Sequence, residues 1–146
     1  MAAVELDNGH WRFPNQLDFK KAQGFIYGIR RVSTGQIYIG KKNFRKESKI
    51  KKIHGTQSDW REYTSSSENV NKLIEVFGME DFRFYVLEQY YTKGGLGWAE
   101  TWSQCHAEIA QDHVRYLNRL IEKVSWRSTE KITDRHRDRL TRLINL

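Results

Sequence analysis

The sequence predicts a small α/β protein of the α+β kind, in which a central three-stranded antiparallel sheet is flanked by helices in the order β-β-α-β-α-α. Three observations support this prediction. The 146 residues suit one domain. Two short β-rich runs around a glycine-containing turn indicate a hairpin, and later in the chain apolar residues recur at helical spacing.

The sheet is predicted from three short runs of β-forming residues. Residues 24–31 and 36–40 are rich in Ile, Tyr and Phe, and the turn sequence Ser33-Thr34-Gly35 lies between them. Because such a turn joins adjacent antiparallel strands, these two runs indicate a hairpin. A third strand is expected from Phe82 to Leu87, and the pair Gly94-Gly95 is expected to break it.

Two of the predicted helices have one apolar face each. The first begins after a Ser67 cap and ends at Phe77, before the stop signal of Gly78. The last covers residues 129–146. Apolar residues three or four apart lie on one side of a helix. These faces consist of Val70, Leu73, Ile74 and Phe77 in the first helix, and of Ile132, His136, Leu140 and Leu143 in the last.

The helix between them is expected to carry a carboxylate away from the core. It is predicted from Leu96 to about Asn118. Its large side chains recur at steps of four and three, which predicts a core-facing stripe, and Glu100 lies about half a turn from that stripe. The stripe is formed by Trp98, Trp102, Cys105 and Ile109.

The composition divides the chain into three parts. Residues 1–22 contain Gly9 and the single proline, Pro14, and are expected to form a loose N-terminal arm. Residues 23–120 contain the predicted sheet and two helices. Residues 121–146 are expected to form a basic helical extension, with a net charge of +3 between Arg127 and Arg142.

The composition also excludes several classes of protein. Aromatic residues make up 13% of the chain, which is too many for a disordered protein. The single cysteine, Cys105, cannot form an intrachain disulfide, which argues against a secreted disulfide scaffold and indicates a reducing compartment. Apolar runs are too short for a signal peptide or a membrane span. We therefore expect a cytoplasmic protein that does not enter a membrane.

The positive charge is concentrated behind the hairpin. The chain has a net charge of +7, and the segment from Lys41 to Lys52 alone has a net charge of +6. A small folded domain with such a segment most often binds a polyanion, so nucleic acid is the first candidate partner and an anionic membrane the second. The alternative for such a run is a solvated loop.

The hairpin resembles the motif of the GIY-YIG nuclease family. The first tyrosine lies in Gly24-Phe25-Ile26-Tyr27-Gly28-Ile29, and the second lies eleven residues later in Tyr38-Ile39-Gly40-Lys41-Lys42. Phe25 stands where the family motif has glycine. The Tyr-Ile-Gly half of the motif is intact.

Further segments are similar to phage-encoded members of this family. Residues 58–67 resemble the segment between the hairpin and the first helix, and residues 77–82 resemble the following junction from helix to strand. Residues 96–100 are similar to the helix that carries the family's metal-binding glutamate, and residues 116–118 to a late Tyr–Asn element. The resemblance covers about residues 24–120 and implies a homing-type endonuclease, made in a phage-infected bacterial cell.

The two tyrosines suggest how the hydrolytic water could be activated. Side chains eleven residues apart can converge across a hairpin, close to the first lysines of the basic segment. A tyrosine is a poor base at neutral pH because its pKa is about 10, but adjacent cations favour the phenolate. We expect Tyr27 to be the general base and Tyr38 its partner or substitute. The cations expected to steady the phosphate are Lys41, Lys42 and Arg45.

The resemblance implies a metal-dependent DNA endonuclease with one protein ligand for the metal. Glu100 would hold Mg²⁺ or Mn²⁺, and waters and a phosphate oxygen can complete the coordination. By the same resemblance, Asn118 and His54 belong to the catalytic set. Glu108 and His106 are alternative metal ligands, and each could instead be an ordinary polar helix residue.

Double-stranded DNA is the expected partner, and a homodimer is left open. Gly40 would let the backbone approach the substrate closely because it lacks a side chain. The other DNA contacts are assigned to the basic segment and to two serines before the first helix. The predicted DNA-binding residues are Gly40, Lys46, Lys49, Lys51, Lys52, Ser65 and Ser66.

Two other functions remain open from the sequence. The altered first half of the motif is compatible with a DNA-binding module whose active site has decayed. The basic segment and the aromatic residues are also compatible with an RNA-binding or interaction protein. In either case Tyr27 and Tyr38 would be ordinary strand aromatics.

Overall fold

The computed structural model describes residues 5–47, 54–118 and 128–146. One antiparallel sheet has the order β2-β1-β3, and helices pack on both of its faces. The α+β class and the predicted order of elements are confirmed. The elements are β1 (Gly24–Arg31), β2 (Ile37–Asn43), α1 (Glu68–Phe77), β3 (Phe82–Tyr90), α2 (Lys93–His106) and α3 (Asp134–Ile144).

Each helix begins at a side-chain hydroxyl that accepts a backbone hydrogen bond. Ser67 accepts from Val70 N–H at the start of α1, as predicted. Thr92 and Thr133 cap α2 and α3 in the same way. These caps satisfy N–H groups that have no partner inside a helix.

The second helix differs from the prediction in its extent and its orientation. It starts with the glycine pair, Gly94-Gly95 lying in its first turn, and ends at His106 because Glu108 adopts a left-handed backbone conformation, with a φ of 58°. The predicted stripe is wrong for Trp98 and Cys105, which are exposed. The helix instead buries a face of mostly small or polar side chains, namely Leu96, Ala99, Glu100, Ser103 and Gln104.

The segment ahead of β1 is packed rather than loose. Trp11 is 3% exposed and Leu17 is 1% exposed, and both belong to the core on the face of the sheet that α1 covers. Arg12 forms a bridge with Tyr85 along β3. Both aromatic packing and strand pairing therefore hold this segment on the sheet.

The far edge of the sheet is covered by the chain that follows α2. Ile37 N–H donates to the carbonyl of Arg115 at 2.8 Å, and Leu117 N–H donates to the carbonyl of Ile37 at 2.8 Å. The segment 115–118 thus runs along the outer edge of β2 and fixes its first half. Within the described residues, the structure has no helix with the length and apolar character needed to span a membrane.

Candidate active site

Two tyrosines stack against each other on one face of the hairpin. Tyr27 pairs with Gly40 across the strands, and Tyr38 pairs with Ile29, so both side chains project to the same side. Their ring centroids are 6.1 Å apart with 27° between the planes. An ideal Cβ at Gly40 would lie 2.7 Å from the Tyr27 hydroxyl, so only glycine leaves room for this ring. The predicted convergence of the two rings is observed.

Burial keeps the Tyr27 phenol protonated. Its side chain is 1% exposed. Burial raises the pKa of Tyr27 well above 10, and Tyr63, Tyr38 and the Glu100 carboxylate raise this pKa further. Our expectation that adjacent cations lower this pKa is therefore wrong for the protein without substrate. The cause is that desolvation disfavours the charged phenolate.

A third tyrosine completes the cluster, and the sequence analysis did not single it out. The Tyr63 ring packs edge-on against Tyr27, with the centroids 6.0 Å apart. Lys42 Nζ lies 3.9 Å from the centre of the Tyr63 ring and 2.8 Å from an Asp59 carboxylate oxygen. This Lys42 bond is the main cause of the lowered pKa of Asp59. Lys42 thus lies on the Tyr63 ring, which in turn packs against Tyr27.

Glu100, the carboxylate predicted to hold a metal, is buried close to Lys41. Glu100 is 5% exposed on the inner face of α2. Its Oε1 lies 3.9 Å from Lys41 Nζ, which is an ion-pair distance but too long for a hydrogen bond. A buried carboxylate needs a compensating positive charge, which Lys41 supplies only in part.

Asn118 holds the strand that carries the second tyrosine. Its side-chain amide accepts a hydrogen bond from Ile39 N–H at 2.9 Å and donates to the carbonyl of Ile39 at 2.7 Å. Gln104, on α2, donates to the same carbonyl at 3.0 Å. Asn118 thus extends the pairing along β2 by one residue, and Gln104 links α2 to the same point.

The structure places several other predicted residues away from the tyrosine pair. Arg45 donates to the carbonyls of Phe19 and Lys20, so it anchors the N-terminal segment. Lys46 and His54 lie exposed beyond the end of β2. The remaining three lysines of the basic segment lie outside the described residues; they are Lys49, Lys51 and Lys52.

The two serines assigned to DNA binding lie just before α1. Ser66 is exposed, whereas Ser65 is buried with a positive φ of 107°. The Ser65 hydroxyl accepts a hydrogen bond from Ser67 N–H at 2.8 Å. Ser65 therefore shapes the entry to α1, and Ser66 is the one of the pair that presents its side chain to solvent.

The donor set suits one divalent cation held mostly by water and substrate. Among the described residues, no three His, Cys, Asp or Glu side chains are grouped as a metal cage. His106 stacks on Trp102, and Glu108 is exposed at the end of α2, so neither joins Glu100. A single buried carboxylate fits Mg²⁺, which keeps several waters and binds phosphate oxygens.

Comparison with known proteins agrees with this geometry. The sequence model of the family described as "Putative endonuclease segE, GIY-YIG domain" matches residues 11–121. Searches of curated proteins and of solved structures found no match to the chain. The matched region contains all three strands, α1, α2 and the Asn118 contact.

Membership in this family indicates a nuclease that acts on DNA and generally depends on a divalent metal. The stacked tyrosines, the close approach at Gly40 and the buried Glu100 lie within the matched residues. The match covers most of the chain, and the chain therefore belongs to the GIY-YIG nuclease family.

Proposed function

We propose that this chain is an endonuclease that hydrolyses phosphodiester bonds of double-stranded DNA with the help of Mg²⁺ or Mn²⁺. The observation that carries the proposal is the buried Glu100 carboxylate, whose Oε1 lies 3.9 Å from Nζ of Lys41, the residue that follows the Tyr-Ile-Gly half-motif. Hydrolysis of a phosphodiester needs proton removal from water and stabilisation of charge on phosphate. The cluster contains groups suited to both tasks.

Glu100 is the proposed ligand of the divalent cation. A bound cation would stabilise the negative charge that develops on the phosphate and would lower the pKa of its water ligands. Burial is the main cause of the raised pKa of Tyr27, and the Glu100 charge adds to it. Neutralisation of that charge by a bound cation would therefore lower the pKa of Tyr27 only in part.

Tyr27 and Tyr38 are the proposed proton-handling pair. Tyr27 is the proposed general base, and Tyr38 is its partner or substitute. Tyr38 is half-buried and so has more access to solvent than Tyr27. Tyr63 packs against Tyr27 from the other side. Only a phenolate can take a proton from water, so the proposed base must first release its own phenol proton to solvent.

Two lysines are proposed to contact the phosphate from different directions. Lys41 approaches from the Glu100 side, and Lys42 approaches from the Tyr63 side. The Lys41 side chain is 43% exposed and can reach a substrate, whereas Lys42 is 18% exposed and bonded to Asp59. Arg45 is proposed only as an anchor of the N-terminal segment, and Asn118 as the residue that positions β2.

Binding of the DNA backbone away from the cut is proposed for the basic segment. The exposed Lys46 lies within it and the exposed His54 follows it, and its net charge of +6 provides the Coulombic attraction. Because phosphate contacts displace counterions, each contact should contribute about −0.9 to the slope of log affinity against log salt concentration. Such contacts would not select a sequence.

The finer biological assignment rests on the sequence resemblance alone. It comprises a phage-encoded, homing-type endonuclease that acts in an infected bacterial cell, with a homodimer as its candidate assembly. The alternatives are a decayed DNA-binding module and an RNA-binding or interaction protein.

A supercoiled-plasmid assay separates these functions. The protein is incubated with plasmid and Mg²⁺, with Mn²⁺, and with EDTA, and the conversion to nicked or linear DNA is measured. Metal-dependent cutting supports the proposal. Binding without cutting under every metal condition would favour the decayed module, and preferential competition by RNA would favour the RNA-binding alternative.

A further inference from the structure

Among the described residues, hydrogen bonds occupy the outer edge of β2 on both sides of one residue, Lys41. Ile37 pairs with the 115–118 segment through both backbone groups, and Ile39 is held by Asn118 and Gln104. Further along, the carbonyl of Asn43 accepts from the Ser58 hydroxyl at 2.6 Å. Lys41 lies between these two closed positions.

The strand register turns the backbone groups of Lys41 outward. In antiparallel pairs, hydrogen-bonded and non-hydrogen-bonded pairs alternate along the ladder. Arg31 N–H donates to the carbonyl of Gln36, so these two residues form a hydrogen-bonded pair at the turn end of the hairpin. The register is regular from there, and Ile26 and Lys41 are five residues further along, so they form a non-hydrogen-bonded pair. The Lys41 N–H and carbonyl therefore face away from β1. Within residues 5–47, 54–118 and 128–146, no hydrogen bond occupies this outward position.

Helix α2 brings Glu100 to the level of this open position. Gln104 reaches the carbonyl of Ile39, and Glu100 lies one helical turn, about 5.4 Å, before Gln104. Two residues along β2, about 6.6 Å, separate Ile39 from Lys41. These two spacings are nearly equal, so Glu100 lies beside Lys41, as their 3.9 Å ion pair confirms.

Beside Glu100, helix α2 carries a glycine that has space around it. Gly97 lies three residues before Glu100, on the same face, and helical side chains lean toward the preceding turn. An ideal Cβ at Gly97 would meet no heavy atom within 4 Å among the described residues. Gly97 therefore adds no side chain beside Glu100.

We propose that the backbone N–H of Lys41 donates a hydrogen bond to a non-bridging oxygen of the DNA phosphate that is cut. This inference rests on the proposed function and adds a main-chain donor to the side-chain cations. The hydrogen bonds from Asn118 and Gln104 to Ile39 fix the direction of the Lys41 N–H before substrate arrives. Little reorganisation is therefore needed as charge develops on the phosphate. The Lys41 carbonyl, which faces the same way, accepts from water and not from the phosphate.

Replacement of single amides by esters tests this hydrogen bond. An α-hydroxy acid introduced at position 41, with the lysine side chain kept, removes the N–H and also makes the preceding Gly40 carbonyl a weaker hydrogen-bond acceptor. The matched control is the same replacement at Asn43, whose N–H also faces outward by the register but lies two residues further from Glu100. Urea unfolding should give similar stability for both variants, because neither N–H belongs to the β1–β2 ladder.

The cleavage rates should then differ between the two positions. In single-turnover reactions with Mg²⁺, the ester at position 41 should cut at least about tenfold more slowly than wild type, as expected for loss of a preorganised donor. The ester at position 43 should cut within about twofold of wild type. Equal rates for the two esters would overturn the proposal.

A binding measurement separates this inference from the proposed function. Uncleaved duplex DNA is titrated into ¹⁵N-labelled protein in EDTA, and amide proton shifts and hydrogen exchange are followed. The Lys41 amide should move downfield and exchange more slowly, whereas an unchanged Lys41 amide in the bound complex would overturn the inference. A protein that fails to cut in the plasmid assay would contradict the proposed function, but this titration would still test the Lys41 contact.

Discussion

The Tyr27 hydroxyl lies where a side chain at Gly40 would be, because an ideal Cβ at Gly40 would be 2.7 Å from this oxygen. The close approach lets the buried ring reach the edge of β2, where Tyr38 stacks on it. The glycine of the Tyr-Ile-Gly half-motif is thus explained by packing between the strands that carry the two tyrosines.

Gly40→Ala should therefore displace Tyr27 and reduce cleavage. The added methyl group would also meet Tyr38, at 3.1 Å, and overpacking of this kind costs about 1–3 kcal/mol. Urea unfolding and plasmid cleavage measure the two effects. Gly97→Ala is the matched control for stability, because it meets no neighbour within 4 Å among the described residues and should not lower the unfolding free energy.

A double-mutant cycle with Tyr27→Phe sharpens this prediction. Removal of the hydroxyl should relieve part of the clash, so the stability losses of Gly40→Ala and Tyr27→Phe should not be additive. Additive losses would contradict a direct contact between the hydroxyl and position 40.

Tyr27 should stay protonated in the free protein at pH values where exposed tyrosines ionise. Its pKa is raised well above 10, so phenolate should be absent at pH 10. A spectrophotometric titration at 295 nm, compared with that of Tyr27→Phe, measures this directly. The two curves should coincide up to about pH 10, where a model tyrosine is half-ionised. A difference between them below that pH would show that Tyr27 ionises more easily than its burial allows.

Asn118→Ala should weaken β2 and lower activity together. The change leaves Ile39 N–H without its partner at a buried edge, which typically costs about 1–3 kcal/mol. The matched control is Gln36→Ala, which removes an exposed hydrogen bond from the Gln36 side-chain amide to the carbonyl of Val114. We expect this control to change the unfolding free energy by less than about 0.5 kcal/mol. Equal losses of unfolding free energy in the two variants would argue against a stabilising role for the Asn118 hydrogen bonds to Ile39.

A buried histidine should make the stability depend on acid pH. His136 is fully buried between Tyr90 and Ser103, at 2.8 Å and 2.7 Å. Because the Ser103 hydroxyl donates to the carbonyl of Ala99, Nε2 of His136 carries the hydrogen and Nδ1 accepts from Tyr90. Burial, together with smaller contributions from Arg137 and His106, lowers the pKa of His136 to about 3.

The sign of this effect follows from the direction of the shift. The unfolded chain binds a proton at His136 below about pH 6.5, whereas the folded chain does so only near pH 3. The contribution of neutral His136 to the free energy of unfolding is therefore complete above pH 6.5. It decreases as the pH falls, by up to about 1.4 kcal/mol per pH unit. Urea unfolding between pH 7 and pH 4 measures it, with His136→Gln and the exposed His113→Ala compared. Only the His136 change should flatten the pH dependence, and an unaltered slope in His136→Gln would be inconsistent with this account.

Local patterns predicted the sheet and α1 because their signals lie within a few residues. The hairpin follows from Ser33-Thr34-Gly35, and α1 follows from Ser67 and its apolar repeat. Packing of distant segments controlled α2, where the mostly small or polar face is buried because the His136 network satisfies Ser103. Spacing alone favoured the tryptophans, which are the larger apolar residues.

Only part of the candidate site could be predicted, again because sequence patterns mark residues that are close together in the chain. The two tyrosines share a hairpin, so their register could be inferred from the sequence. Tyr63 and Asp59 reach the site from a loop, and no periodicity marks them. The direction of the Tyr27 pKa shift also depends on burial by the N-terminal segment, whose Trp11 ring packs on Tyr27.

The central claim is that Glu100 holds the metal on which cleavage depends. Its most direct test is single-turnover cleavage of duplex DNA by Glu100→Gln at saturating Mg²⁺, with DNA affinity measured in EDTA on the same preparation. Removal of the charge with little change in shape should abolish detectable cutting, while DNA affinity stays within about threefold of wild type. Cleavage by Glu100→Gln at the wild-type rate would contradict the claim.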